Sequence, residues 1–248
     1  MKVIYILWLR QIKRFFRSKS RIVGSVGQPM LFLLALGYGL GSVYKKAGQG
    51  NYLHFLVPGI MLQTVLFAAM FYGAMIIFDR QFGFLKETMV APVSRLKIMI
   101  GGALGGATTA TLQGLLVLIV SYALGFRASH FLMVFVAILI MLVLALAVAS
   151  FSSGIGSFVE DMQGFQAINQ FLVFPLYFLS GALYPLQNVP TWLRIVAELN
   201  PISYTVDFMR WALIGQTKFG ILKDLIVLAI TLFICVIFGA YRFKKVQA

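Results

Sequence analysis

The stretch FPLYFLSGALYPLQNVPTWLRIVAELNPISYTVDFMRW, residues 174–211, decides the fold. It begins as an apolar helix that contains Pro175, and it leaves the apolar sequence at Tyr184. Two short amphipathic segments follow, opened by Pro190 and Pro201. Because Trp and Tyr are enriched where hydrocarbon meets water, this aromatic and proline-punctuated pattern predicts a structured cap on one face of a membrane.

The remaining chain has the composition of a membrane protein. Hydrophobic residues make up 60% of it and charged residues 11%, whereas a soluble domain has about 45–50% and about 25%. Six stretches without Lys, Arg, Asp or Glu are each long enough for a spanning helix. The predicted spans are 22–42, 55–78, 98–125, 131–153, 163–183 and 221–241. We therefore predict an all-α integral membrane protein with six transmembrane helices.

The distribution of charge predicts the orientation. The net charge of +14 would suggest nucleic acid binding in a soluble chain, but here the basic residues follow the predicted loops. With the N-terminus inside, the cytoplasmic side receives fourteen Lys and Arg residues and the opposite side seven. Since cytoplasmic loops carry the excess of Lys and Arg, we place both termini in the cytoplasm and expect no nucleic acid partner.

Two segments are assigned to the cytoplasmic face. Residues 1–21 carry Trp8 and Phe15 on one helical face and basic residues toward the other, which predicts an interfacial helix that contacts membrane lipids. The loop at 79–97, DRQFGFLKETMVAPVSRLK, mixes charge with an apolar row that includes Phe82 and Phe84. We interpret it as a short helix lying across this face, because a solvated connector gains nothing from exposed aromatic residues.

Glycine spacing predicts a site of close helix packing. Gly101-Gly102 and Gly105-Gly106 form two overlapping small-xxx-small pairs, and such pairs let helix backbones approach closely. Packing inside the bundle of this chain and a seam between two copies are both open interpretations of the pattern.

The residue sets needed for catalysis are missing from the sequence. Cys235 is the single cysteine, and His54 and His130 stand alone at loop edges, so neither a nucleophile–histidine set nor a metal cluster can be assembled. The chain has no G-x-x-x-x-G-K-[ST] motif for nucleotide binding, and no ionisable residue falls near the middle of a predicted span. We therefore predict that this chain is not an enzyme and binds no cofactor or metal ion.

Two stretches carry a family resemblance. The first is DRQFGFLKETMVAPVSR, residues 79–95, and the second is residues 174–193, followed by LNPISY at 199–204 and by Asp207 to Arg210. Both are similar to the membrane-spanning subunits of type-2 ABC exporters, in the daunorubicin-resistance-like branch. The resemblance covers essentially the whole chain, and Asp79 stands where many relatives have Glu.

The resemblance implies an architecture and a set of partners. It implies a single permease domain over 1–248, with the interfacial helix at 1–21, a coupling helix in the loop at 79–97 and short re-entrant external helices at 184–218. The partners would be a second permease copy, in a homodimer or heterodimer, and a separately encoded ABC ATPase subunit that binds ATP and Mg²⁺. The implied location is a prokaryotic inner (plasma) membrane, with multiple passes.

The resemblance also assigns two sets of functional residues. The set for ATPase coupling is Asp79, Arg80, Gly83, Phe84, Leu85, Glu87, Pro92 and Arg95. The set for an external gate is Tyr184, Pro185, Trp192, Arg194, Glu198, Asn200, Pro201, Tyr204, Asp207 and Arg210. The charged members of the second set are clustered in the sequence, which suggests pairing across the short helices, and a gating role and an anchoring role both remain open.

We therefore expect the transmembrane subunit of an exporter that forms the translocation pathway while a separate subunit hydrolyses ATP. The apolar and aromatic spans favour an amphipathic or hydrophobic substrate such as a drug, lipid or glycolipid, and the direction of transport comes from the resemblance alone. The alternative is a stand-alone membrane channel or an assembly or scaffold protein without an ATPase partner. A neighbouring gene for a P-loop ATPase would discriminate the two.

Overall fold

The computed structural model describes residues 2–46, 51–90, 92–187 and 189–246, and the regular structure among them is helical throughout. In chain order the helices are α1 (Lys2–Arg17), α2 (Lys19–Gly39), α3 (Gly41–Lys46), α4 (Tyr52–Gln81), α5 (Phe84–Val90), α6 (Arg95–Ala123), α7 (Phe131–Phe158), α8 (Met162–Ile168), a π-helix (Asn169–Val173), α9 (Phe174–Phe178), α10 (Thr191–Leu199), α11 (Pro201–Ile214) and α12 (Ile221–Lys244). The predicted all-α class is confirmed.

Five helices in the described part of the chain are long and apolar enough to cross a membrane, namely α2, α4, α6, α7 and α12. Each corresponds to one predicted span. Helices α4 and α7 continue past their predicted ends, to Gln81 and Phe158. A helix can extend into the polar layer because its own backbone hydrogen bonds continue there.

The predicted fifth span, 163–183, is shorter in the structure and ends at Phe178. Helix α8, the π-helix and α9 contribute seven, five and five residues, which gives about 25 Å at 1.5 Å per residue, against a hydrocarbon core of about 30 Å. The helical backbone ends ahead of Gly181, whose φ of +75° lies outside the helical range, and the regular ladder is already interrupted at Pro175, which has no N–H. Just before it, the N–H of Phe174 bonds the carbonyl of Asn169, five residues back.

Helix α7 packs against α4, α6 and α12. Where it crosses α4, the N–H of Gly73 donates to Oγ of Ser152 at 2.8 Å, and the Ser152 hydroxyl donates to the carbonyl of Met70. A side chain at Gly73 would overlap Ser152, and one at Gly156 would overlap the Gly73 backbone. The two helices are therefore in backbone contact, which small residues permit in lipid.

The two glycine pairs of α6 pack against different neighbours. Gly101 and Gly105 lie against α1, whereas Gly102 and Gly106 lie against Tyr72 of α4. The interpretation as close packing within the bundle is confirmed, and all four glycines face partners in this chain.

The N-terminal helix is attached to the bundle as well as amphipathic. Nε1 of Trp8 donates to Oγ1 of Thr108 in α6 at 3.0 Å, so part of the apolar face of α1 contacts protein. Compared with the predicted 1–21, the helix ends at Arg17, because Ser18 interrupts the helical backbone before α2 begins.

The crossing of α4 and α7 predicts the effect of a single methyl group. We expect Gly73→Ala to lower the free energy of unfolding by about 1–3 kcal/mol, because the added Cβ forces the two backbones apart. The matched control is Gly27→Ala in α2, where no atom lies within 4 Å of the added Cβ, and it should be neutral or slightly stabilising. Thermal unfolding of the detergent-solubilised protein measures both, and equal midpoints for the two variants would contradict the proposed contact.

Candidate functional site

At one end of the bundle, called the basic end below, the last turn of α4 is tied to two other helices. The carboxylate of Asp79 lies 3.3 Å from Nη2 of Arg10 and 3.8 Å from Nη1 of Arg14, both on α1. The neighbouring Arg80 donates to the carbonyl of Gly156 near the end of α7. The chain therefore enters the predicted coupling segment from a position held by both α1 and α7.

Helix α5 directs its side chains to two sides. Gly83 connects it to α4 with a φ of +77°, a backbone conformation that glycine adopts without strain. Leu85 is only 5% exposed and packs into the bundle, whereas Phe84 is 50% exposed and Glu87 is exposed. Leu85 thus holds the helix in place while Phe84 and Glu87 are available to another molecule.

Four apolar side chains on and beside α5 are exposed, and we call them the α5 patch. Phe82, Phe84, Val90 and Leu96 are 73%, 50%, 86% and 49% exposed. A segment with several exposed apolar side chains is typical of a contact with another protein or with a membrane. The sequence prediction included Phe84 as a site residue and missed Val90 and Leu96, whose side chains carry no motif and are recognisable only by their exposure.

The last two predicted coupling residues lie after α5. Pro92 is exposed. Nη1 of Arg95 donates to the carbonyls of Lys244 and Val246 at 2.7 and 2.9 Å, which ties the start of α6 to the end of α12. Of the eight predicted coupling residues, four are exposed, namely Phe84, Glu87, Pro92 and Arg95, and Arg95 together with the four others anchors or shapes the segment.

At the opposite end of the bundle, α10, α11 and the irregular segment 179–187 form the cap. Helix α10 starts directly after Pro190, and α11 starts at Pro201, as the sequence predicts. A proline suits the first position of a helix because the missing N–H has no partner there. Two short helices therefore follow the fifth span, in place of another long one.

Asn200 joins the two short helices to the end of the fifth span. Its side-chain oxygen accepts from the N–H of Ile202 at 3.0 Å and caps α11, while its Nδ2 donates to the carbonyl of Leu176 in α9. Nearby, the hydroxyl of Tyr204 donates to the carbonyl of Glu198 at 2.6 Å and closes the corner between α10 and α11. Through these bonds to backbone groups, both side chains fix the positions of α10 and α11 relative to the end of the fifth span.

Arg210 is the buried centre of the cap. Its Nη2 donates to the carbonyls of Gly181 and Ala182, each at 2.9 Å, and its Cζ lies 3.7 Å from the ring centre of Phe55 in α4. Burial lowers the pKa of Arg210 to about 10, and the nearby Asp207 opposes that shift. The guanidinium therefore stays charged at neutral pH and joins α11, α4 and segment 179–187 at one point.

Asp207 organises the turn between α11 and α12. Its Oδ2 accepts from Oγ1 of Thr217 at 3.0 Å and from the N–H groups of Lys218 and Phe219, both at 2.7 Å. Three hydrogen bonds to one oxygen satisfy a carboxylate that is almost fully buried.

The pairing suggested for the clustered gate charges is not formed within the described residues. The ion pairs found there are those that Asp79 makes at the basic end. Arg194 instead donates to the carbonyl of Gln187 at 3.2 Å, and Glu198 is exposed on α10. The reason is geometric, since the two charges on α11 turn inward to backbone groups while the two on α10 lie on its outer face.

The aromatic members of the predicted gate differ in environment. Tyr184 and Pro185 are half-buried in segment 179–187, and Trp192 is exposed on α10. The segment is further held by Tyr52 of α4, whose hydroxyl donates to the carbonyl of Leu183 at 2.7 Å. The structure thus holds segment 179–187, which includes Tyr184 and Pro185, against α4 and leaves Trp192 facing outward.

A third feature lies between the two ends and was missed by the sequence prediction. A cleft of about 760 Å³ opens beside α2 and α4, and its lining includes Gln28, Gln63 and Gln113. These uncharged residues sit inside predicted spans, in which no ionisable group lies near the middle. The available signal was the presence of three carboxamides within otherwise apolar helices.

The chain is similar to a described protein family and to several individual proteins over most of its length. The family described as ABC-2 type transporter matches residues 2–214. The chain is 28% identical to the inner membrane transport permease YadH of Escherichia coli (strain K12), over 89% of this chain and 89% of that protein. It is also 28% identical to the putative transport permease ycf38 of Cyanophora paradoxa, over 95% of this chain and 87% of that protein.

A further relative is Nodulation protein J of Rhizobium leguminosarum bv. viciae. It is 26% identical over 79% of this chain and 76% of its own length. The three alignments cover most of each partner, so the similarity concerns the whole membrane unit.

The contacts of Arg210 predict that lysine cannot replace it. We expect Arg210→Lys to lower the free energy of unfolding by about 1–3 kcal/mol, because an ammonium cannot hold the forked contact with two carbonyls and stack on Phe55. Hydrogen exchange in residues 179–187 should rise in this variant. Arg17→Lys, a matched change at an exposed site on α1, should alter neither measurement, and a similar loss at both sites would argue against the buried contact.

Proposed function

Since the chain belongs to the ABC-2 type transporter family, we propose that it is the membrane-spanning subunit of an ATP-binding-cassette exporter. In this proposal a separately encoded ATPase subunit binds and hydrolyses ATP with Mg²⁺, and two permease copies, identical or different, form the translocation pathway. The substrate is an amphipathic or hydrophobic molecule. The role of this chain is transport, with the ATPase chemistry in its partner.

The α5 patch is the observation that carries the proposal. It exposes four apolar side chains on a segment whose start is anchored to α1 and α7 through Asp79 and Arg80. A docking surface of this kind transmits force only if its base is fixed to the helices that must move. The ion pairs of Asp79 with α1 and the bond from Arg80 to α7 supply that connection.

The cap supports the proposed pathway at the other end. Segment 179–187 is held against α4 through Arg210 and Tyr52, so a displacement of α4 reaches the cap directly. We assign the cap to closing the external side of the pathway, with Arg210 and Asn200 as its positioning residues.

The proposed orientation places the basic end in the cytoplasm and the cap outside. The excess of Lys and Arg on the side of the basic end favours this direction. The relative YadH is named an inner membrane permease, and we propose the inner (plasma) membrane of a prokaryote for this chain as well.

Docking of the ATPase is tested by placing negative charges in the apolar α5 patch. We expect Phe84→Glu combined with Val90→Glu to abolish stimulation of ATP hydrolysis by the permease and to lower ATP-dependent transport in vesicles at least about tenfold, since a buried unpaired charge costs several kcal/mol at an interface. The thermal midpoint of the permease alone should not change, because both side chains are exposed.

The matched control is Phe131→Glu, an exposed phenylalanine at the start of α7, on the side of the bundle where the cap lies. This variant should retain ATPase stimulation. Full stimulation by the double variant at the α5 patch would refute the assignment of this surface to the ATPase.

The proposed orientation is tested by labelling single cysteines with an impermeant reagent in whole cells. In a Cys235→Ser background, we expect Arg127→Cys and Lys218→Cys to be labelled from outside. Lys86→Cys and Glu160→Cys should react only after the membrane is permeabilised. The reverse pattern would place the α5 patch outside and eliminate an intracellular ATPase as its partner.

A further inference from the structure

The cleft beside α2 and α4 reaches from the basic end into the middle of the bundle. Its volume is about 760 Å³, and its lining runs from Ser18 and Ser20 at the junction of α1 and α2 to Gln63 and Gln113. Gln63 lies well inside α4, and Gln113 lies well inside α6. A polar surface therefore extends to a depth where a membrane protein normally places apolar side chains.

Two carboxamides in this cleft have buried polar atoms without a hydrogen-bond partner among the described residues. Gln63 is 4% exposed and Gln113 is 5% exposed. Within the described part of the chain, neither Nε2 nor Oε1 of Gln63 has a partner, and Nε2 of Gln113 has none. Nearly all buried polar groups in proteins are hydrogen-bonded, so these exceptions require an explanation.

Two short polar side chains in the same lining do have hydrogen-bond partners. Thr64, beside Gln63 in the same lining, donates from Oγ1 to the carbonyl of Ile60 at 3.0 Å. Ser25 of α2 donates to the carbonyl of Ile22 at 2.7 Å. Thr64 and Ser25 are thus satisfied by their own helices, whereas Gln63 keeps donors and an acceptor, and Gln113 keeps donors, for another molecule.

The rest of the lining limits the charge of that molecule. Phe67, Met75 and Phe78 provide apolar and aromatic wall. Of the described residues that line the cleft, Arg14 alone is ionisable, and it lies at the basic end, 3.8 Å from Asp79. A charged group at the depth of Gln63 would have no countercharge, which is costly in an apolar environment.

We propose that the cleft binds the uncharged polar group of an amphipathic molecule, with Gln63 and Gln113 as the hydrogen-bonding residues. A carboxamide presents two donor hydrogens on nitrogen and an acceptor oxygen, which matches hydroxyl and amide groups. The aromatic wall takes the apolar part of the same molecule. This inference rests on the proposed function, for which it names the substrate class, namely neutral hydroxyl- or amide-bearing amphiphiles.

Lipid retention tests the site without ATP or an ATPase. The full chain is reconstituted in phosphatidylcholine nanodiscs that contain a glucosyl diacylglycerol, phosphatidylglycerol or a triacylglycerol, which has no hydroxyl or N–H group, and the lipids retained on release are counted by native mass spectrometry. We expect retention of the glucosyl lipid alone above the phosphatidylcholine background. Gln63→Leu should lower this retention about tenfold, as for the loss of hydrogen bonds in a dry site, and Gln113→Leu should lower it too.

Two controls separate binding from folding. Gln166→Leu, an exposed glutamine on α8, should leave retention unchanged. Gln63→Leu should keep or raise the thermal midpoint, because it removes an unsatisfied amide, and Gln63→Asn should restore part of the retention. A lowered midpoint with equal loss of all three lipids would assign Gln63 to folding and overturn the proposal.

Methyl glucoside, added to the nanodiscs, identifies the source of the polar group. Displacement of the glucosyl lipid by this sugar would support recognition of a free polar solute, and its failure to displace would support recognition of a lipid-borne headgroup. Equal retention of the glucosyl lipid by the wild-type chain and Gln63→Leu would overturn the proposal, whether or not the oligomeric mass differs between the two. None of these outcomes depends on ATPase coupling, so a failure of this inference can be distinguished from a failure of the proposed function.

Discussion

The backbone contact between α4 and α7 at Gly73 and Ser152 is the interaction on which the rest of the structure depends. In lipid no hydrophobic effect drives helices together, so close packing and hydrogen bonds determine how the helices are arranged. The 30 residues of α4 measure about 45 Å, and its fixed crossing sets the position of Asp79 at the basic end and of Phe55 beneath the cap. One helix therefore connects the α5 patch, the cleft and the cap.

The two ends of α4 are held by interactions of different strength. At the basic end, the side chains of Arg10 and Arg14 are 38% and 46% exposed where they meet Asp79, and exposed ion pairs contribute only about 0.2–1 kcal/mol each. At the cap, the buried guanidinium of Arg210 bonds two carbonyls, and bonds to a charged group contribute about 1.5–3 kcal/mol. The ion pairs of Asp79 are thus the weaker contacts, and the bond from Arg80 to the carbonyl of Gly156 is the contact at the basic end that is of the same kind as those of Arg210.

The sequence predicts the parts of this fold that rest on local periodicity and composition. Charge-free runs locate the five long helices, Pro201 marks the start of α11, and the spacing of Gly101 and Gly105 marks a close packing face. The inward direction of Arg210 could not be predicted in this way, because its partners are carbonyls about thirty residues away, and every residue has a carbonyl. The early end of the fifth span escaped prediction for a related reason, since hydropathy continues through Gly181 while the helical backbone does not.

For the binding site proposed in the middle of the bundle, uncharged amides suit transport better than charged groups would. An ionised side chain at the bilayer centre costs about 2.5–3.5 kcal/mol on insertion scales, and it would hold a ligand of opposite charge tightly. Interhelical hydrogen bonds of neutral side chains in membranes average about 0.6 kcal/mol and reach about 1.7. Gln63 and Gln113 can therefore select a polar group through several weak bonds, while each bond breaks easily enough for release. In the proposed site the strong charges of Asp79 and Arg210 lie toward the two ends, and the middle is left to groups that bind weakly.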